Sequence, residues 1–223
     1  MTTREPISRR DRPAKPALSR EAIVDAALRV LESEGVEKLT IRRVAAELDT
    51  GPASLYVYVK NVTVLHALLA DRLLANVDLT WDIEQPWRDR LHRLLGDYVD
   101  LLAERGDLAR SVMFVWPDGP HYLDLIDLLV RLLEAAGADE QATAWGIDLL
   151  LQHTSATAAE WATRAADTSQ DVNDLAAALS SAGPDRHPAL AAFNTSVFTQ
   201  GTHDERRRWA FDAVIDGIIR QRS

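Results

Sequence analysis

The chain has 223 residues, 47% of them hydrophobic and 26% charged, which is enough apolar content to bury a sizeable core in one or two domains and argues against disorder except at the ends. It contains no cysteine, so disulfides, thiolate metal sites and cysteine-based redox sensing are excluded. Its net charge of −9 is unevenly placed: residues 1–60 hold 11 Lys and Arg against 9 Asp and Glu, and the rest of the chain 14 against 25.

No stretch approaches the ~20 apolar residues of a membrane span, and the first residues lack the apolar run of a signal peptide. The expectation is a soluble, cytoplasmic protein with no membrane partner. Residues 1–17 read as a flexible basic arm, with Arg4, Arg9, Arg10, Arg12 and Lys15 set against Glu5 and Asp11 and broken by Pro6, Pro13 and Pro16. Such an arm either neutralises phosphates and enters a minor groove or is a solvated tail.

Ser19 is placed to cap a first helix, with Leu18 and Ile23 as the two halves of a hydrophobic staple. Ile23, Ala26, Ala27, Val30 and Leu31 form its buried stripe, and Gly35 closes it. Thr40 caps a second helix, in which Ile41, Val44, Ala45 and Leu48 fall at i, i+3, i+4 and i+7 and Leu39 and Val44 repeat the staple. Asp49 to Gly51 make a tight turn, since both residues tolerate the left-handed conformation, and Pro52 suits the first position of the next helix. Winding that helix at about 100° per residue buries Pro52, Leu55 and Val59 and turns Ala53, Ser54 and Val57 outward, flanked by Tyr56 and Tyr58.

Three short helices around one core, with a weakly charged outward face on the last, are a helix-turn-helix, so the expected partner is a double-stranded DNA operator. Val57 can meet a thymine methyl, and Ser54 and Tyr58 can reach a base edge or phosphate. Tyr56 and Lys60 are phosphate contacts by position, Arg43 faces solvent or the DNA backbone, and Arg42 is the strong bidentate donor near the groove.

Asn61 or Thr63 can cap the next helix, which carries Val64, Leu65, Leu68, Leu69 and Leu73 and runs to about Leu79. After a linker at 81–86, Trp87, Leu91, Leu94, Leu95, Tyr98, Leu101 and Leu102 mark a long helix closing at Gly106, followed by a shorter one to about Val115. Pro117, Gly119 and Pro120 break the chain before a leucine-rich helix from about Tyr122 to Ala136, closed by Gly137. Asp139 can cap a segment over 140–165 that is apolar on most faces, which calls for burial on several sides. Residues 166–202 are polar and alanine-rich, with room for two short helices. The last helix, about 203–221, aligns Ala210, Phe211, Val214, Ile215, Ile218 and Ile219, with Ala213 and Gly217 permitting close approach.

Residues Ser19 to about Leu69 resemble the DNA-binding domain of the tetracycline-repressor (TetR) family, and the run Leu55-Tyr56-Val57-Tyr58-Val59-Lys60-Asn61 is similar to that of the member that gives the family its name. The resemblance implies an all-α homodimer with an N-terminal three-helix DNA-binding domain at 18–61, a connecting helix at 62–80, and a helical-bundle ligand-binding and dimerisation domain at 81–223. It also implies a repressor of a palindromic operator that a small-molecule effector releases by shifting the connecting helix. Arg42 matches a position at which the family contacts base or phosphate. In the family the last helix and the long apolar one before it pair with their partner copies, which nominates Leu149, Ala156, Val214, Gly217 and Ile218 as interface residues. Packing within one chain is the alternative.

Five of the six tryptophans lie between Trp81 and Trp161. As a group, Trp87, Tyr98, Phe114, Trp116, His121, Tyr122, Trp145, His153 and Trp161 suggest a cavity for an aromatic or apolar ligand, against the alternative of ordinary core packing. Asp78 and Val112 stand where a gap-free alignment puts the family's metal-chelate histidines, so tetracycline is not the expected ligand. No metal or cofactor site is expected, because the histidines belong to no closely spaced ligand set. Glycine-rich phosphate loops and nucleophile elbows are missing too, which argues against an enzyme. The competing reading is a non-catalytic helical scaffold or interaction protein.

Overall fold

Local side-chain chemistry sets where the helices begin. The computed structural model describes residues 17–113, 116–166 and 172–221, and they are helical with no strand. Ser19 accepts from the Ala22 amide at 3.1 Å to start α1 (Arg20–Glu34), which Gly35 ends at φ 84°. A 3₁₀ turn (Val36–Lys38) leads to Thr40, which caps α2 (Ile41–Glu47) by accepting from the Arg43 amide at 3.1 Å. Asn61 caps α4 (Val62–Leu74), and Asp139 accepts from the Ala142 amide at 2.8 Å to open α8 (Glu140–Ala166). Each such cap contributes about 0.5–2 kcal/mol. The basic arm, apart from its last residue, lies outside the described residues.

The turn after α2 differs from expectation in one respect. Asp49 alone takes the left-handed backbone, at φ 49°, while Gly51 is extended at φ −79° as the N-cap of α3 (Pro52–Leu55). Helix α3 is a single turn: the amides of Tyr58 and Val59 both reach the Leu55 carbonyl at 2.9 Å. The β-branched and aromatic run Tyr56 to Val59 loses rotamer freedom in a helix, so it continues as turns instead. The predicted sides hold except at Pro52, which is exposed: Leu55 and Val59 are fully buried, and Ala53, Ser54 and Val57 face out. Each of the two buried side chains contributes at most ~1.5–3 kcal/mol to fixing the turn on its core.

Helix α4 packs against α1 on one side and against α5 (Trp87–Ala103), α6 (Gly106–Val112) and α7 (Pro120–Ala135) on the other. It stops at Leu74, about a turn short of the expected Leu79. The helix closes in turns in which the Asn76 and Val77 amides reach the Leu73 and Leu74 carbonyls at 3.0 Å, and Arg90 of α5 holds the connection that follows: it is 1% exposed, and Nε donates to the Thr80 carbonyl at 2.8 Å while Nη2 donates to that of Asp78. These carbonyls are turned toward a buried cation rather than along a helix. Burial pushes the Arg90 pKa down.

The C-terminal bundle is built on α8, which packs against α5, α6, α7 and α11 (His203–Arg220). Short helices α9 (Val172–Ser180) and α10 (Pro188–Ala192) occupy the polar stretch, with a 3₁₀ turn at Thr195–Phe198. Thr202 and Glu205 form a reciprocal capping box at the start of α11. Its apolar stripe buries Phe211, Ile215 and Ile218, and Gly146 lets α11 close on α8, since a Cβ there would lie 2.8 Å from Ile218.

The N-terminus of α7 has no cap of its own, and α4 supplies one. Asp71, 8% exposed, accepts from the Tyr122 amide at 2.8 Å, the bond that an N-cap side chain would otherwise make. Gly119 permits this: a Cβ there would stand 2.1 Å from the Asp71 carboxylate, although its φ of −85° suits any residue. Gly119→Ala should therefore destabilise the protein by about 1–3 kcal/mol, and by less than about 1 kcal/mol when Asp71 is also alanine. Urea denaturation of the two single variants and the double variant checks this. An equal effect of Gly119→Ala in both backgrounds would refute the contact.

Candidate nucleic-acid interface and ligand cavity

The outward surface of α2 and α3 carries the predicted reading residues. Arg42, Ala53, Ser54, Tyr56, Val57, Tyr58 and Lys60 are all exposed, Val57 at 80%. Arg42 and Lys60 make no ion pair among the described residues, so both cations are available to an anionic partner. Arg43 is half-buried and ion-paired. Its Nε donates to Glu34 at 2.8 Å and its Nη2 to Glu47 at 3.1 Å, and Arg29 reaches Glu47 at 3.3 Å, so α1 and α2 are held by a four-residue charge cluster. Hydrogen bonds to Glu34 and Glu47 raise the Arg43 pKa.

A cavity of about 610 Å³ opens between α5, α6, α7 and α8. Of the nine aromatic and histidine candidates, Tyr98, Trp116 and Tyr122 line it. Tyr98 is buried, and its phenol is pushed up by desolvation. The Tyr122 phenol is pushed up to about 12 by burial and by the charge of Asp148, so both tyrosines stay neutral donors at physiological pH. The other walls are Val112, Met113, Leu123, Ile126, Ile147 and Leu151, with Asp118, Asp148, Gln152 and Ser155 as the polar groups. These last residues were not anticipated. Their signal was the placement of Asp148, Gln152 and Ser155 along one face of an otherwise apolar helix.

The remaining candidates are elsewhere, and Phe114 lies outside the described residues. Trp87 sits at the start of α5 with the Arg88 guanidinium 4.9 Å from its ring centre, and Arg88 in turn pairs with Asp212 and Asp216 of α11. His153 meets Phe211 edge-to-face at 5.3 Å, where burial lowers its pKa, and Trp161 lies under Arg207 at 5.0 Å. Both therefore join α8 to α11. His121 is half-buried at the start of α7 and does not line the cavity. Trp145 is 69% exposed on a separate groove of about 450 Å³ between α8 and α11. Leu149, Val214, Gly217 and Ile218, the nominated interface residues, line the same groove, while Ala156 is exposed two turns beyond Leu149. Trp145 precedes Leu149 by one helical turn, which is why it shares that face and not the cavity.

Three contacts join the cavity to the N-terminal helices. Asp71 of α4 caps α7 next to the cavity residue Tyr122. His66 of α4 is hydrogen-bonded to Ser111 at 2.7 Å, beside Val112 on the cavity wall. Asp118 on the rim pairs with Arg20 of α1 at 3.4 Å. Among the described residues no group of three or more His, Asp or Glu side chains is placed to hold a metal, and no helix is long and apolar enough to cross a membrane.

The proteins to which this chain is similar include transcription regulators. Residues 23–61 match the tetR family of bacterial regulatory proteins, and residues 82–222 match the tetracycline-repressor-like C-terminal domain. The crystal structure of a candidate transcription regulator from Streptomyces coelicolor superposes with a TM-score of 0.82 at 44% identity, covering 94% of this chain and 98% of that one. ActR, a TetR family protein of the same organism solved in complex with actinorhodin, gives a TM-score of 0.76 at 28% identity over 91% of this chain and 97% of that one. The transcriptional repressor DrrR1 of Streptomyces coeruleorubidus is 32% identical over 130 residues, 58% of this chain and 48% of that one. The chain spans about half the length of the first curated relatives it matches. Fold, reading unit and C-terminal match agree, and the chain belongs to the tetR family of bacterial regulatory proteins.

Proposed function

We propose that this protein is a homodimeric repressor that binds a palindromic DNA operator in the cytoplasm and releases it when an aromatic or apolar small molecule fills the cavity of about 610 Å³. The observation that carries this reading is the shared role of α4: it packs on α1 of the reading unit, and its Asp71 caps the helix that forms the cavity wall. A ligand that moves α7 thereby moves the element on which α1 rests. ActR, whose structure holds actinorhodin, supports a ligand-responsive role for this arrangement.

The exposed apolar groove at Trp145, Leu149, Val214 and Gly217 is the proposed dimer face. Two reading units joined there read half-sites about one DNA turn, ~10 bp, apart. Among the described residues the cavity lining has Ser155 but no histidine, so it offers a binding surface without a nucleophile and base pair, and we propose that the protein is not an enzyme. We keep the proposed boundaries at 17/18, 61/62 and 80/81. Residues 75–80 follow α4 as a non-helical connection.

On the DNA side, Arg42 is the base-reading donor, Ser54 and Tyr58 reach base edges or phosphates, Val57 packs on a thymine methyl, and Tyr56 and Lys60 hold phosphates. Arg42→Ala should weaken operator binding by about 1–3 kcal/mol and flatten discrimination against random DNA, whereas Lys60→Ala lowers affinity evenly across sequences. Fluorescence anisotropy with operator and random duplexes separates the two, and equal losses on both duplexes for both variants would refute the assignment.

The effector reading has its own test. Protection of DNA flanking the gene should show a palindromic footprint that a member of a panel of tricyclic and tetracyclic aromatics abolishes. Ile147→Trp, which fills the cavity, should keep the footprint and make it insensitive to that compound. A footprint still released in the filled variant would place the effector elsewhere.

A further inference from the structure

We propose that the cavity selects a flat aromatic cation, a fused-ring compound bearing a protonated amine, and that Asp148 receives its charge. The inference rests on the reading of this cavity as the effector site.

The polar lining has one sign. Asp118 and Asp148 are its charged groups, Gln152, Ser155 and the two tyrosines are neutral, and no Lys, Arg or His lines the cavity among the described residues. The two carboxylates differ in what already holds them. Asp118 lies on the rim, 71% exposed, and pairs with Arg20. Asp148 is half-buried on α8, accepts from Gln152 Nε2 at 2.8 Å, and pairs with no cation among the described residues.

The half-buried Asp148 carboxylate beside these apolar walls attracts a cation that enters, whereas an aromatic acid meets like charge. Trp116, 69% exposed, offers a ring face that attracts the same cation. The remaining walls, Ile126, Ile147, Leu151 and Tyr122, take a flat apolar body, and about 610 Å³ lies within the range of drug-sized sites. A second positive group near the rim competes with Arg20 for Asp118, which loosens α1 from the cavity at the moment of binding.

Calorimetry on the full chain with three matched tricyclic probes tests this: 9-(aminomethyl)anthracene, cationic at pH 7, neutral 9-anthracenemethanol, and anionic anthracene-9-carboxylate. The cation should bind at least about tenfold more tightly than the neutral probe, with the anion weakest. Asp148→Asn should bring the cation to within about threefold of the neutral probe without changing the neutral affinity, and Gln152→Glu should widen the preference. Equal or tighter binding of the neutral or anionic probe, or a cation preference that survives Asp148→Asn, overturns the charge assignment while leaving the cavity as the effector site. Binding of none of the three to the wild-type chain removes the charge assignment and the effector reading together.

Discussion

The Asp71 carboxylate is the joint on which this structure depends. A helix N-terminus buried among other helices must find acceptors for its amides, and α7 finds one on α4 rather than in its own sequence. Because Gly119 leaves no gap above that carboxylate, α4 and the start of α7 cannot slide independently. The same α4 meets α6 through His66 and Ser111, and it pairs with α1 through Arg72 and Asp25 at 3.0 Å. Helix α4 thus touches both α1 and the helices of the cavity wall, and we propose that displacement of that wall is passed to α1 through it.

Electrostatics divides the N-terminal cations into two kinds. Arg43 and Arg29 are held among Glu34 and Glu47, where they fix α1 against α2. Arg42 and Lys60 are held by nothing among the described residues. On the proposed reading, a chain with net charge −9 would meet an anionic duplex through a small number of unneutralised groups on one surface. The turn after α2 is mostly methyl and phenol, so on that reading shape and apolar contact would share the work of discrimination with Arg42.

What was legible in the sequence was local. Ser19, Thr40 and Asp139 cap the helices they were expected to cap, Asn61 rather than Thr63 caps α4, the stripe of α1 is buried, and those of α2 and α11 are buried at Ile41, Val44 and Ala45 and at Phe211, Ile215 and Ile218, because caps and 3.6-residue periods act within a turn or two. The capping box at Thr202 and Glu205 was equally readable and was passed over. The connection after α4 was not readable, since its Asp78 and Thr80 carbonyls are held by a guanidinium twelve and ten residues further along the chain. Nor was the cavity: an aromatic residue signals burial but not which partner buries it, so Trp87, His153 and Trp161 went to the α5, α8 and α11 contacts. The polar cavity residues of α8 are Asp148, Gln152 and Ser155, and only the helix packing shows that their face looks inward.

The most direct test of the account measures whether α4 transmits the cavity's state to the reading heads. The chain has no cysteine, so a spin label at Glu37→Cys, exposed on the 3₁₀ turn beside α2, reports the separation of the two heads of a dimer without background labelling. Pulsed electron resonance should show that separation change when 9-(aminomethyl)anthracene fills the cavity. In Asp71→Ala the compound should still bind while the separation stays at its unliganded value. An equal shift in the two proteins would contradict the claim that the Asp71 cap carries the signal.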